Sequence, residues 1–493
     1  MLSEELIELT NKINKQKAES QTLEAKAAHQ GCPRRLYDTL SAFSNQDSGG
    51  VILFGLDESK DFEIVGVYDL QDLQKKVTEQ CNQMIPPVRA VFTTAELDGK
   101  YLCAAEIPSV DITERPCYYS GSGRSKGAYI RVGDADLLMT DYEIYNYEAF
   151  RRHQHDDERA VDRADMALLD ADQLQDYLMR MRRERPGFSR LSRDEAYEML
   201  AITRDGKPTL AAILNFGLYP QGYFPQLALT AIVVPGREIG DLGPGAERFV
   251  NNKRIEGTLQ MMLSESIAFC LRNMKVRTVI DANTGERSDI PEYPIEAIRE
   301  AILNALIHRD YSHFTEGTPI QINFFTDRLE IHSPGGLYGR MTVEDLGKAR
   351  PDLRNPALAA MSEFLLHTEN RYSGIPTIRR EMAALGLPEP VFVNQRNEFV
   401  VILYNSPQEM HRGAESKQVP DTDVEKLLQF CTTPRSRQEI ADFLGIRTIY
   451  YVTRHYIQPL LMCGKLKMTI PEKPKSRNQK YFRASDNVVT GTV

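Results

Sequence analysis

The segment GGVILFGLDES narrows the choice of fold more than any other. Val51, Ile52, Leu53 and Phe54 are consecutive apolar residues, entered through Gly49 and Gly50 and followed by Asp57. Successive side chains of a strand point to opposite faces, so this run is buried throughout only if both faces of its sheet are covered. That requirement points to an α/β domain. EIVGVYD, AVFTTAEL and YLCAAEIP read as its further strands, with a helix over 70–84, and GAYIRVGD closes the unit near residue 136. Ahead of it, residues 2–18 read as a surface helix with Leu2, Leu6, Leu9 and Ile13 on one stripe, and residues 36–43 as a second helix.

The chain of 493 residues is long enough for about three or four domains. The reading divides it at 1–150, 151–285, 286–406, 407–420 and 421–493. After the first α/β domain come a charged connector with a small α/β middle domain, a third α/β domain, a polar linker and a C-terminal unit. Within this scheme residues 151–186, dense in charge, read as a solvated helical connector. The net charge of −9 excludes a chain that coats nucleic acid over its whole surface, but not a local basic face. No apolar run approaches the ~18 residues of a membrane span. The N-terminus has mixed charge, unlike a secretion signal. The seven cysteines show no CxxC spacing, so neither a zinc site nor a disulfide framework is expected. The expectation is a reduced, cytoplasmic chain.

Two stretches carry candidate chemistry. In ESQTLEAK, Glu19 and Glu24 with Lys26 stand ahead of the buried strand, and Asp57 stands at its end. Three converging carboxylates can hold Mg²⁺ or Mn²⁺ on oxygen ligands, and a lysine can steady a phosphate, which together suit phosphodiester cleavage. The plainer alternative is a structural Glu24–Lys26 ion pair. In EAIREAILNALIHRD, Ile295, Ile298, Ile302, Leu303, Leu306 and Ile307 recur at helical spacing. This puts Glu300 and Asn304 together on one face. Asn304 can offer its amide oxygen to a magnesium ion that bridges phosphates, and Glu300 can orient or deprotonate a water. Downstream, Ser333-Pro334-Gly335-Gly336, with Gly339 beyond, ends a strand in a turn open to a ligand. Ser373-Gly374-Ile375-Pro376 starts a helix whose free N–H groups suit phosphate. His308, His313 and His332 flank these motifs and are assigned no metal.

The C-terminal unit reads as a winged helix-turn-helix, three helices followed by a β wing. From Pro434 to Arg483, eleven Lys and Arg face three acids, a local charge of +8. That concentration suits phosphate contacts. Thr448, Tyr450, Tyr451 and Arg454 would open the recognition helix; Lys473, Lys475, Arg477 and Lys480 would lie on the wing. Tyr118 and Tyr119 with Arg124 and Lys126 offer a second place where a strand could stack, or else an ordinary surface hairpin.

The order of the third-domain motifs resembles the GHKL ATPase fold of gyrase, histidine kinases and MutL. It is closest to the divergent branch found in bacterial proteins that begin with a Schlafen-type AlbA-like domain. Glu300 and Asn304 match its N box, Ser333–Gly336 its first glycine box, Arg354-Asn355-Pro356 its Arg-Asn-Pro, and Ser373-Gly374-Ile375 its second glycine box. The adenine-recognising aspartate of ordinary members is absent, with Ser333 near its place. ESQTLEAK resembles the Schlafen Glu-Ser-x-x-x-Glu-Phe-Lys, with Ala25 in place of Phe. The resemblance implies an α/β multidomain chain: Schlafen-type domain, small middle domain, GHKL-like α/β sandwich and winged helix. It further implies that Glu19, Glu24 and Asp57 (or Glu58) form a metal-dependent RNA-cutting centre, that ATP binds in the third domain, and that the protein is a homo-oligomer acting on DNA or RNA, with a role in phage defence. Its alternative is an ATP-responsive transcriptional regulator without nuclease chemistry.

Overall fold

The computed structural model describes residues 1–280, 287–366, 373–395, 397–406, 427–443, 465–469 and 479–483, with 452, 456, 457, 460 and 461.

In the first domain, α1 (Ser3–Gln16) precedes β1 (Leu23–Lys26), α2 (Tyr37–Ser44) and β2 (Gly50–Phe54). Then come α3 (Leu70–Asn82), β3 (Val91–Leu97) and β4 (Lys100–Ile107). The sheet order is β1-β2-β4-β3, with β1 and β2 parallel and the other pairs antiparallel. The alternation within the VILF run explains its burial. Ile52 and Phe54 pack with Leu40 and Phe43 of α2 and Leu73 and Val77 of α3. Leu53 faces the other way, into a core with Leu6 and Ile13 of α1. Both faces of β2 are therefore covered, as its sequence requires. A hairpin, β5 (Tyr129–Val132) with β6 (Ala135–Leu138), leads into α4 (Asp141–Arg152). Thr140 and Glu143 form a capping box at the start of α4, tying off the N–H groups that a helix start leaves unpaired.

The second body departs from the expected division. α5 (Ala171–Glu184) and α6 (Leu210–Phe216) lead to β7 (Leu229–Val233), β8 (Asn251–Ile255) and α7 (Leu259–Asn273). A two-stranded hairpin, β9 (Val276–Ile280) with β10 (Arg287–Pro291), precedes α8 (Ile295–His308). β11 (Ile320–Phe324), β12 (Arg328–Pro334), α9 (Pro356–Leu366), α10 (Gly374–Ala384), β13 (Val391–Asn394) and β14 (Glu398–Tyr404) complete it. One sheet of order β8-β7-β11-β12-β14-β13 takes strands from both the expected middle domain and the expected third domain. β7 lies parallel to β11, with Leu229 opposite Ile320 and Val233 opposite Phe324. A single apolar core runs from Val161 to Leu403. The boundary at 285 therefore corresponds to no separation in the structure.

Residues 151–186 are likewise not a solvated connector. Val161, Ala164, Leu174, Tyr177 and Met181 are buried in that same core, while the charges of α5 lie on its outer side. Asp157, fully buried, accepts the Leu358 N–H at 2.8 Å.

In the C-terminal segment, β15 (Arg435–Ser436), α11 (Arg437–Phe443), β16 (Leu466–Met468) and β17 (Lys480–Arg483) are described. β17 is the central strand of three, paired antiparallel to both others. Leu427, Cys431, Ile440, Val452, Ile457 and Tyr481 form its core. Among the described residues no helix is long and apolar enough to cross a membrane.

Candidate functional site

The helix α8 is set by its apolar positions. Ile298, Ile302, Leu303 and Leu306 are buried, whereas Ile295, at the first turn, is 40% exposed. The opposite face of the same helix carries Glu300 and Asn304, half-buried, into a cavity of about 390 Å³. That volume lies within the range of small-ligand sites, ~300–1,000 Å³.

Four separate segments close around the cavity. α8 supplies Glu300 and Asn304; the turn after β12 supplies Ser333, Gly335 and Gly336. A third segment brings Gly347 and Arg354, and the start of α10 brings Ser373 and Gly374. Apolar walls come from Ile331, Met341, Leu346 and Val401. Seven of the eight residues expected to bind nucleotide are therefore brought together. Gly339 is the exception. Its φ of +68° serves a turn, where a Cβ would meet Asp352 Oδ2 at 2.3 Å. That carboxylate accepts the Arg340 N–H at 3.0 Å.

The other glycines have geometric reasons. A Cβ on Gly374 would lie 2.9 Å from Glu300 Oε2 and 3.1 Å from Asn304 Nδ2, so the absence of a side chain lets α10 begin directly against these groups. α10 has no side-chain cap, and Ser373, Gly374 and Ile375 at its start line the cavity. Gly335 has φ +92°, and a Cβ there would lie 2.4 Å from both Arg354 Nη1 and Asp310 Cβ. Burial raises the carboxyl pKa of Glu300 above its ordinary value, against the opposing charge of Arg299. Ser333 donates its hydroxyl to the Ala305 carbonyl at 3.2 Å, bonding β12 to α8.

The acids of the first domain are arranged differently from the expectation. Glu19 accepts the Ala25 N–H at 2.8 Å. Glu24 pairs with Lys26, the ion pair that the sequence offered as the plainer alternative. Arg131 of β5, its side chain only 1% exposed, lies 2.8 Å from Glu24, 3.5 Å from Glu19 and 2.9 Å from Asp136. Burial, with a further contribution from the neighbouring Glu24 charge, pushes the Glu19 carboxyl up to about 7. Asp57 has partners of its own, accepting from Ser59 Oγ at 2.6 Å and lying 3.7 Å from Lys60. Its hydrogen bonds from Ser59 lower its pKa. Among the described residues no three His, Cys, Asp or Glu side chains are grouped to hold a metal ion. Glu19, Glu24 and Asp57 do not form such a group as they stand.

Of the proposed nucleic-acid contacts, Thr448, Tyr450, Tyr451, Arg454, Lys473, Lys475 and Arg477 lie outside the described residues. Lys480 is exposed at the start of β17, and its N–H donates to Thr469 Oγ1 at 3.1 Å. Tyr119 stacks on Tyr37 with ring centroids 3.7 Å apart, and Arg124 lies 5.4 Å over Tyr118. Sequence reasoning gave no role to Arg131 or Asp310 and only a motif match to Arg354. A charged residue in an apolar strand, as in YIRV, is the one signal that marks Arg131.

Three domain models match the chain. Residues 19–140 match the Schlafen AlbA_2 domain. Residues 317–403 match the model described as "Putative ATP-dependent DNA helicase recG C-terminal". Residues 422–483 match the C-terminal domain of Fic-like proteins, named for filamentation induced by cAMP. The chain is thus a multidomain α/β protein that joins a Schlafen AlbA_2 domain to a RecG-like, HATPase-type region and a Fic-like C-terminal domain. These domain matches suggest a nucleotide-binding, nucleic-acid-related protein.

Among solved structures, the DIP2311 protein of Corynebacterium diphtheriae is 19% identical over 98% of this chain and 97% of its own, with a TM-score of 0.39. The N-terminal domain of a "Putative ATP-dependent DNA Helicase RecG-related Protein" of Nitrosomonas europaea is 25% identical, with a TM-score of 0.23; the match covers 27% of this chain and 93% of that one. The search of curated proteins found no match.

Proposed function

We propose that this protein binds ATP with magnesium in the cavity between α8 and α10, and that it is a nucleotide-responsive, nucleic-acid-binding regulator. The supporting observation is the convergence of Glu300, Asn304, the Gly335-Gly336 turn and the Gly374 helix start on one cavity. The notch left by Gly374 beside Glu300 and Asn304 suits an ion and a phosphate, since it sits among a carboxylate, an amide and free N–H groups. Asn304 would hold Mg²⁺ through its amide oxygen, and the ion would neutralise charge on the bridged phosphates. Gly335 and Gly336 let backbone approach the ligand, and Ile331, Met341 and Val401 exclude water around its apolar part. Glu300, half-buried and with raised proton affinity, is placed to orient a water. The +8 segment from Pro434 to Arg483 supports nucleic-acid binding through a winged helix, and the pairing of β16 with β17 agrees with its wing. Titration of the whole chain with ATP and Mg²⁺ by calorimetry tests the reading; absence of heat at millimolar ATP would refute it.

A second reading, a Schlafen-like endonuclease centred on Glu19 and Glu24, is favoured by one observation. A carboxyl held near pKa 7 beside a second carboxylate is a common arrangement for proton transfer at neutral pH. It ranks below the first because Arg131 and Lys26 engage these acids and Asp57 is tied to Ser59. Cleavage of labelled RNA or duplex DNA with Mn²⁺, lost in the Glu19→Ala, Glu24→Ala double variant, would reverse that ranking.

A further inference from the structure

The turn that lines the nucleotide cavity is held from behind by the first domain. Tyr142 of α4 donates its hydroxyl to Asp310 Oδ2 at 2.7 Å. Asp310 is 2% exposed, and its own N–H donates to the Pro334 carbonyl at 2.8 Å, immediately before the glycine pair. Arg354 Nη2 donates to the Gly336 carbonyl at 3.1 Å. The Arg354 carbonyl in turn lies 3.0 Å from Nδ1 of His155, just beyond α4. Phe150 of α4 meets the Tyr338 ring edge-on at 5.4 Å. Gly335, Gly336, Tyr338 and Arg354 all line the cavity, whereas no residue of α4 does.

The other side of α4 belongs to the first domain. Ile144 is buried with Ala128 and Met139, and Ile130 of β5 packs against this group. Glu148 forms an ion pair with Arg124. β5 is also the strand that carries Arg131, the partner of Glu19 and Glu24. One helix is therefore gripped by the nucleotide turn on one face and by the Schlafen-type domain on the other. Buried hydrogen bonds of this kind do not stretch gradually; they are kept or exchanged.

We propose that occupancy of the cavity is relayed to the first domain through α4, with Tyr142, Asp310 and Arg354 as the positioning residues that carry the coupling. This rests on the nucleotide reading above. A ligand that presses on the Gly335-Gly336 turn has to keep or displace Arg354, and with it the Asp310 carboxylate that Tyr142 holds. By linkage, a change at α4 feeds back on nucleotide affinity to the same extent.

The test is hydrogen exchange by mass spectrometry on the full chain, with and without ATP and Mg²⁺, beside calorimetry. The expected result is a change of about 5-fold or more in exchange across residues 141–152 when ATP is bound. Tyr142→Phe, which removes one hydroxyl, abolishes that change while ATP still binds. Tyr145→Phe, on the same helix but bonded to Asp156 at 2.7 Å, retains it. Binding of ATP without any change in 141–152 overturns the relay alone. A Tyr142→Phe chain that responds like the unaltered one also overturns it. No binding at all overturns the relay together with the nucleotide reading. If Tyr142→Phe does not fold, Asp310→Asn takes its place, and the unaltered chain by itself decides whether α4 responds.

Discussion

Glu19 shows how much a single residue depends on partners distant in sequence. Its carboxyl is raised to about 7 by burial and by Glu24, so the folded chain keeps a proton there that the unfolded chain releases near 4.5. The contribution to stability is then fully present below pH 4.5 and is lost as pH rises to about 7. Glu19→Gln is expected to flatten this slope and to stabilise the protein at pH 8 by about 1–3 kcal/mol, read by denaturant unfolding at pH 5 and 8. Arg131→Met should do the opposite, since removing one partner from a buried ion cluster costs about 3–5 kcal/mol. A melting temperature unchanged in Arg131→Met would refute the role given to that arginine. The Glu24–Lys26 pair was legible in the sequence because its partners stand two apart on one strand. Arg131 was not, because it belongs to the separate β5–β6 hairpin and only folding brings its side chain to Glu19 and Glu24.

At the scale of elements, what the sequence stated best were those whose signal is local. The apolar spacing of α8, the hairpin of β11 and β12 around Asp327, and the β13–β14 pair all carry their own periodicity and turns. The pairing of β7 with β11 was not legible, since a parallel partner separated by two helices leaves no mark in either strand. For the same reason α5 read as solvated: its charges are evident, while the Tyr177 and Met181 stripe acquires meaning only from the core it meets. The contact between α8 and α10 gives a sharp prediction. In Gly374→Ala the new methyl displaces the ends of Glu300 and Asn304, which are flexible, so stability should change by less than about 1 kcal/mol. Nucleotide affinity should fall about tenfold or more, because both groups lose their place. Comparable affinity in this variant would mean that α10 does not begin at the phosphate.

Over the whole molecule, two bodies and a C-terminal segment divide the work differently from the five stretches read along the chain. The sheet and core spanning Val161 to Leu403 make the middle region part of the same body as the cavity between α8 and α10. The charge asymmetry belongs to the same scale: −9 overall against +8 in the last basic stretch. Replacing Lys473, Lys475 and Arg477 by Ala should weaken nucleic-acid binding for all sequences alike. It should also lower the salt slope by about 0.9 for each phosphate contact removed, measured by fluorescence anisotropy across salt concentrations. An unchanged slope would assign that stretch to protein contacts. The most direct measurement is calorimetric titration of the full chain and of Asn304→Ala with ATP in the presence of Mg²⁺. Magnesium-dependent binding to the unaltered chain, weakened about tenfold or more in Asn304→Ala, is the expected result. Equal affinity in both, or no binding to either, would contradict a working nucleotide site between α8 and α10.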